Sequence, residues 1–482
     1  MRALRSRRAT MSVVWALAVM LGVPASHAEA AQRPAWAVRE GALLTNFTAP
    51  SVAVSPGGEV VYVIGAVRHR GGASTLLVRA RASATGDRLW SARYRGRQGL
   101  FHDAGWVTVG EAGTLYVLVE FRRDGGGRGV MVLSFDGSDG TRRWTRTVGG
   151  AADADAGGIA LSPEGSRLYV AVTSGPAPEH VAVTALDASD GSPSWTGRYL
   201  GPDDRPDVME GSIAVTADAV VVAVHGRYDF ERTSFGWATT VAFDAATGDV
   251  MWDGVSGRGG WPAQYSEHAL ALSPDGGTVT TGGWSRSRPA AVAFDVATGA
   301  RLWHRVFRGH GPGSLQSAAV SPDGTQVLLA GDAGRSRLVV VALDAATGAA
   351  SWWNEMRDWK GYPWIGDAEL APDGSALYVP IPICGPAAAV EGFGCYLDYG
   401  LLRYRAATGR RALLGRYASP VGGSEWPADL AIAPAGLRVF VTGRSDVEGR
   451  FQRFPQALAT VMFRESFPDR GARLPDGLSL IG

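Results

Sequence analysis

Thr239-Thr240-Val241-Ala242-Phe243-Asp244-Ala245-Ala246-Thr247-Gly248-Asp249-Val250-Met251-Trp252 decides the fold. An alternating apolar run leads into a tight turn, and a second short run carries a tryptophan. Val241 and Phe243 share one face of the first run, as the two-residue period of a strand requires. Thr and Asp bond locally within such a turn, and Gly supplies a positive φ. The phrase recurs. Its turn glycines are Gly86, Gly140, Gly191, Gly248, Gly299, Gly348 and Gly409, spaced 54, 51, 57, 51, 49 and 61 residues apart. Trp90, Trp144, Trp195, Trp252, Trp303 and Trp352 follow the first six, and Leu413 stands where the seventh unit would have Trp.

Working outward, each unit opens with another hairpin. Val320-Ser321-Pro322-Asp323-Gly324, Leu272 to Gly276 and Leu161 to Gly165 each separate two apolar runs, and Pro and Gly there mark a β-turn. A unit is therefore four short strands, the content of a propeller blade. An eighth unit, from Asp429 to Phe463, has three strands and no Trp strand. Trp36-Ala-Val-Arg-Glu-Gly41 matches Trp90 to Gly96 with one residue fewer, so the N-terminal strand is expected to complete the last blade and remove the free edges. The reading is an all-β, eight-bladed β-propeller of four-stranded antiparallel blades over residues 31–470, with an irregular tail at 471–482. Its architectural rival is a seven-bladed ring with a separate module.

Ahead of the propeller, Arg2, Arg5, Arg7 and Arg8 precede the apolar run Ser12 to Val23, and Ala28-Glu29-Ala30 suits cleavage. Residues 1–30 read as a secretory signal, and the protein as secreted. The run is too short to span a bilayer, so no stable membrane insertion is expected. Net charge is +1, which gives no field for nucleic acid. The two cysteines, Cys384 and Cys395, flank a Gly/Pro-rich connection and are expected to form a disulfide in an exported chain; two buried thiols are the alternative.

The Ala-x-Asp-Ala-x-Thr-Gly-x-x-x-Trp phrase, at Ala242 to Trp252 and again at Ala342 to Trp352, resembles the tryptophan-docking motif of quinoprotein (PQQ-like) propellers. The resemblance covers nearly all of residues 31–470. It implies a ring whose first strands line a central channel. One face then carries the connections into each first strand and the loops between second and third strands. PQQ is not expected as cofactor, because the adjacent-cysteine pair typical of those enzymes is absent, as is a haem-binding Cys-x-x-Cys-His.

On that face the approach to each first strand is rich in polar groups. Glu210, Glu267, His268 and Asp367 are the candidates for acid–base chemistry. His102, Asp103, Asp155, Gln316, Glu369, Glu425 and Asp429 are the candidates for ligand binding, with Trp261, Tyr265, Trp364 and Trp426 interleaved as stacking groups. Strand-end solvation and inter-blade packing are the structural alternatives. Arginines such as Arg68, Arg122, Arg227 and Arg444 crowd the loops between second and third strands and would form a basic rim or plain solvated surface. No zinc-type spacing, EF-hand loop or serine elbow is present. The metal is left unknown; a calcium held by acids from several blades is compatible with the pattern. The function expected is a monomer that binds a small molecule, glycan or protein at an acidic, aromatic channel mouth. The alternatives are a lyase, hydrolase or cyclase at the same mouth and an envelope protein-assembly scaffold.

Overall fold

The computed structural model describes residues 31–44, 50–68, 74–95, 101–122, 127–149, 153–175, 180–201, 208–209, 212–230, 233–258, 269–286, 288–307, 313–333, 337–356, 365–385, 396–420, 424–446 and 455–465. These form eight antiparallel sheets arranged as blades around a ring. Blade one is Ser51–Val54, Val60–Arg68, Ser74–Ala82 and Arg88–Tyr94, numbered from the axis outward. Blade eight is Glu425–Ile432, Arg438–Asp446, Pro455–Arg464 and, outermost, the N-terminal strand Trp36–Leu44. Trp36 pairs with Met462, so the expected closure by the N-terminus is what the ring uses. Blade four departs from the four-strand plan. Its inner strand is broken into Val208–Met209 and Ile213–Val215, both paired with Ala219–Phe230.

The core is not one body but eight apolar layers, one in each seam between neighbouring blades. This explains the uniform burial of second and third strands. In Leu338–Asp344 the first six residues are buried, because both faces of a middle strand meet a neighbouring blade. Val241 packs toward blade three and Ala242 toward blade five. The outermost strands alternate instead. Arg88–Tyr94 turns Trp90, Ala92 and Tyr94 inward and leaves Arg88, Ser91 and Arg93 in water.

The recurring Trp and Gly belong to one joint. Each indole Nε1 donates to a turn carbonyl of the next blade: Trp36 to Ser83 (3.1 Å), Trp90 to Gly137 (2.8 Å), Trp144 to Ala188 (3.2 Å), Trp195 to Ala245 (3.2 Å), Trp252 to Val296 (2.8 Å), Trp303 to Ala345 (2.8 Å) and Trp352 to Ala406 (2.6 Å). The ring then lies flat over the turn glycine. A Cβ added to Gly248 would sit 2.3 Å from Trp195 Cε3, and φ there is +81°. The glycine is thus demanded twice, by backbone conformation and by the indole above it. A one-residue bulge before the Trp completes the joint, as between Ala242 and Phe243, where Met251 is the extra residue opposite.

Candidate functional site

Inner strands position the site. Counting back from the first residue of each hairpin turn, the fourth residues are Ser51, Trp106, Gly158, Ser212, Ala269, Ser317, Asp367 and Asp429. Two residues later come Ala53, Thr108, Ala160, Ala214, Ala271, Ala319, Glu369 and Ala431. Six alanines and a threonine keep that level neutral and free of bulky side chains, and Glu369 alone among them is charged. All three acids at these two levels fall on blades seven and eight.

Several fourth-position groups tie neighbouring inner strands together. Ser317 Oγ in blade six accepts from Ala368 N and donates to the Ala368 carbonyl in blade seven, both at 3.0 Å. Asp429 in blade eight does the same for blade one, accepting from Ser51 Oγ (2.7 Å) and Val52 N (2.8 Å) through Oδ2. Its Oδ1 accepts from Leu430 N at 2.7 Å. Leu430 N is the group that the same pattern would have offered to Asp367. Asp367 consequently has no hydrogen bond in the described structure, and its side chain reaches solvent.

Enclosure raises the pKa of Asp367. Asp429 is pushed up to about 7, first by burial and then by the charge of Asp367, against the donors Val52, Ser51 and Leu430. Glu369 is pushed up to about 8 by burial and by Asp429 and Asp367, against a backbone N–H from Ile432. The three form one coupled acidic wall in which burial and mutual repulsion both favour the protonated form. They do not make a metal cage: among the described residues no group of three or more His, Cys, Asp or Glu is arranged to hold a metal ion.

Of the remaining candidates, Asp155 is in the inner strand of blade three, where Arg128 Nη1 meets its Oδ1 at 2.5 Å. Burial raises its pKa and Arg128 opposes the rise. Two expectations need correction. Gln316 is the extra residue of a bulge between Leu315 and Ser317, which turns it into the sheet; its Nε2 donates to Asp332 Oδ1 at 2.9 Å, away from the channel. Glu425 is fully buried and accepts from Ser445 Oγ at 3.0 Å, so it belongs to the interior of blade eight rather than to the mouth. The adjacent Trp426 is half-buried, with the Arg444 guanidinium 5.5 Å from its ring centre. His102 and Asp103 lie on the inner strand Phe101–Val109, His102 as the extra residue of a bulge; their side chains lie outside the described part. Glu210, Trp261, Tyr265, Glu267, His268, Trp364 and Cys395 lie outside the described residues. Cys384 ends the second strand of blade seven, and no free cysteine is found among the described residues.

Three groups escaped the sequence reading. Trp106 is exposed (37 %) at the fourth position of blade two, and counting back from its hairpin would have found it. Glu120 accepts from Ala156 N at 2.8 Å and links blades two and three. Asp332, pushed up to about 7 by burial, carried no signal because it ends an ordinary second strand.

With this geometry in view, the PQQ_2 family model, described as "Outer membrane protein assembly factor BamB", matches residues 74–354, more than half of the chain. The chain belongs to the PQQ_2 family. No curated protein matches it. Among solved structures it is similar to a quinohemoprotein alcohol dehydrogenase from Comamonas testosteroni, with 14 % identity over 92 % of this chain and 78 % of that one and a TM-score of 0.55. The Dos1 propeller (12 %, 89 % and 94 %, 0.53) and a europium-containing methanol dehydrogenase (13 %, 90 % and 93 %, 0.52) are similar too. At such identities the likeness is one of fold. A quinone of the kind the family's name suggests does not fit the described residues. It is a polycarboxylate, whereas the described inner strands carry no Arg or Lys and place three acids on the channel wall.

Proposed function

We propose that this PQQ_2-family propeller is exported and binds a cationic ligand, or the basic segment of a protein partner, at the acidic wall that blades seven and eight present to the channel. The observation that carries the reading is Asp367, solvent-reached, without a hydrogen bond and flanked by Glu369 and Asp429. A bound cation relieves the mutual repulsion of the three and is held in a site where water screens little. Export is supported by the Arg-rich start, the short apolar run to Val23 and the small residues at Ala28 and Ala30, and a Cys384–Cys395 disulfide accords with it. A basic protein segment accords with the assembly role in the family's description. An acid–base enzyme is the second reading, favoured by carboxyl groups at about 7 and about 8, close to the optimum for proton transfer near neutral pH.

Calorimetric titration of the purified protein with spermidine and with tetralysine tests it, at pH 6 and pH 8.5 and low salt. Binding should strengthen with pH as the wall ionises, and Asp367→Asn should weaken it roughly tenfold or more, as loss of a close opposite charge would. Equal binding by Asp367→Asn and the parent would overturn the proposal. Tetralysine binding without spermidine binding would favour the protein partner.

A further inference from the structure

Seven of the eight seams carry the Trp joint, and the seam between blades seven and eight does not. All three parts of the joint are altered there. Leu413 replaces the indole. The bulge of the outer strand Arg411–Tyr417 has moved past it, to Leu414, opposite the step from Leu401 to Leu402. The receiving turn departs in sequence too, with Phe467-Pro468 where other blades have Thr-Gly or Asp-Gly, and blade eight takes its outer strand from the other end of the chain.

A different device occupies that corner. Glu465 N donates to the Leu437 carbonyl at 3.1 Å, the same contact that Ala406 N makes with Ser375 and Ala345 N with Thr325 in ordinary blades. Glu465 thus holds the place of the turn residue whose carbonyl receives a Trp elsewhere. Its carboxylate accepts from Arg403 Nε at 2.7 Å and from the Tyr378 hydroxyl, both in blade seven. The matching tyrosines elsewhere, Tyr62, Tyr116 and Tyr169, donate to the turn carbonyl itself. The apolar layer of this seam is as full as the others, so the difference lies in the lower outer corner alone. At the opposite, inner edge of the same two blades stand Asp367, Glu369 and Asp429, whose charges push the blades apart.

We propose that blades seven and eight form the joint at which the ring opens first, with the Tyr378–Glu465–Arg403 cluster as its clasp. Neutral indole joints hold the other seams whatever the salt. The clasp is an ion pair with one partly exposed partner, and its inner edge is under like-charge repulsion, so salt acts on the fastening of this seam's outer corner; Glu40 with Arg79 and Arg81, and Arg128 with Asp155, also pair across seams, but there a Trp joint stands behind them. Opening there changes the width of the channel beside the acidic wall. The inference rests on the seam's own geometry and does not require the ligand proposed above.

Hydrogen exchange of the full chain, read by mass spectrometry at low and high salt, tests it. In Glu465→Gln, amides of Ala376–Cys384 and Arg438–Asp446 should exchange roughly tenfold faster or more, with other blades unchanged, because opening is local. Tyr378→Phe, which keeps the ring's shape, should give a smaller change at the same peptides. Trp352→Phe should loosen the seam between blades six and seven instead. Parent-like exchange in both Glu465→Gln and Tyr378→Phe would overturn the clasp, as would loosening spread evenly round the ring.

Discussion

The seam between blades three and four and the seam between blades seven and eight bury similar apolar layers but are fastened by different chemistry. At the first, Trp195 lies over Gly248 and donates to the Ala245 carbonyl, 3.2 Å away. At the second, Glu465 gathers Arg403 and Tyr378. The repeat unit fastens forward, each blade's outer strand onto the next blade's outer turn. The scheme needs a next blade with a complete turn, which a ring closed by two chain ends lacks at one place. The comparison teaches that Leu413 is no decay of the motif: the position ahead of it is held by Glu465, whose carboxylate is engaged with blade seven.

The sharpest way to break this comparison is to fill the space under an indole. Gly248→Ala and Gly436→Ala impose the same strain, since φ is +81° and +72°. Only the first also drives a methyl into Trp195; beside Gly436 the nearest atom is Pro372 Cδ, 3.9 Å away. Gly436→Ala should therefore lose about 1 kcal/mol and Gly248→Ala about 3 kcal/mol, in chemical denaturation. Equal losses would show that the indole cover adds nothing.

A smaller effect separates the two fastenings. Trp352→Phe keeps the ring and loses one donor, which should cost about 1 kcal/mol, whereas Leu413→Trp should bring no gain because the bulge lies past position 413 and Glu465 already fills the receiving corner. A stabilised Leu413→Trp would mean that blade eight offers a dock after all.

A pH series tests the inner edge of the odd seam. Glu369 and Asp429 have folded pKa values raised to about 8 and about 7 from ordinary carboxylate values. Protons are therefore bound more tightly in the folded state. The stabilisation is complete below about pH 4 and is lost as pH rises through 7 to 8. Melting temperature, corrected for the rest of the chain by comparison with Glu369→Gln, should decline from pH 5 to pH 8.5 in the parent and decline less in the variant. Parallel curves would remove Glu369 from the acidic wall.

Much of this was legible in the sequence for a plain reason: a joint that needs Gly beneath Trp writes both residues at a fixed distance in every blade. Closure was legible because Trp36 carries the same joint at the other end of the chain. The inner wall was harder. Asp367 and Asp429 follow from counting back to the fourth position, but the count works only while strand alternation holds. The bulge between Pro427 and Asp429 reverses the parity upstream, so Glu425 turns into blade eight although it lies four residues from Asp429. Gln316 is itself a bulged residue. The clasp left no trace to count, since Glu465 follows the last strand and works through residues 62 and 87 positions away.

The pairing of Trp36–Leu44 with Pro455–Arg464 has a kinetic meaning. The strand made first during synthesis waits for a partner made more than 400 residues later. Until then the first strand has no sheet, and seven or more blades must already be stacked before joining the ends yields more than the loop entropy it costs. Ring closure is thus expected to come last in folding, after a horseshoe-shaped stack whose two ends are still unpaired. A short peptide copying residues 36–44 would compete for the open end of that horseshoe but not for the finished ring.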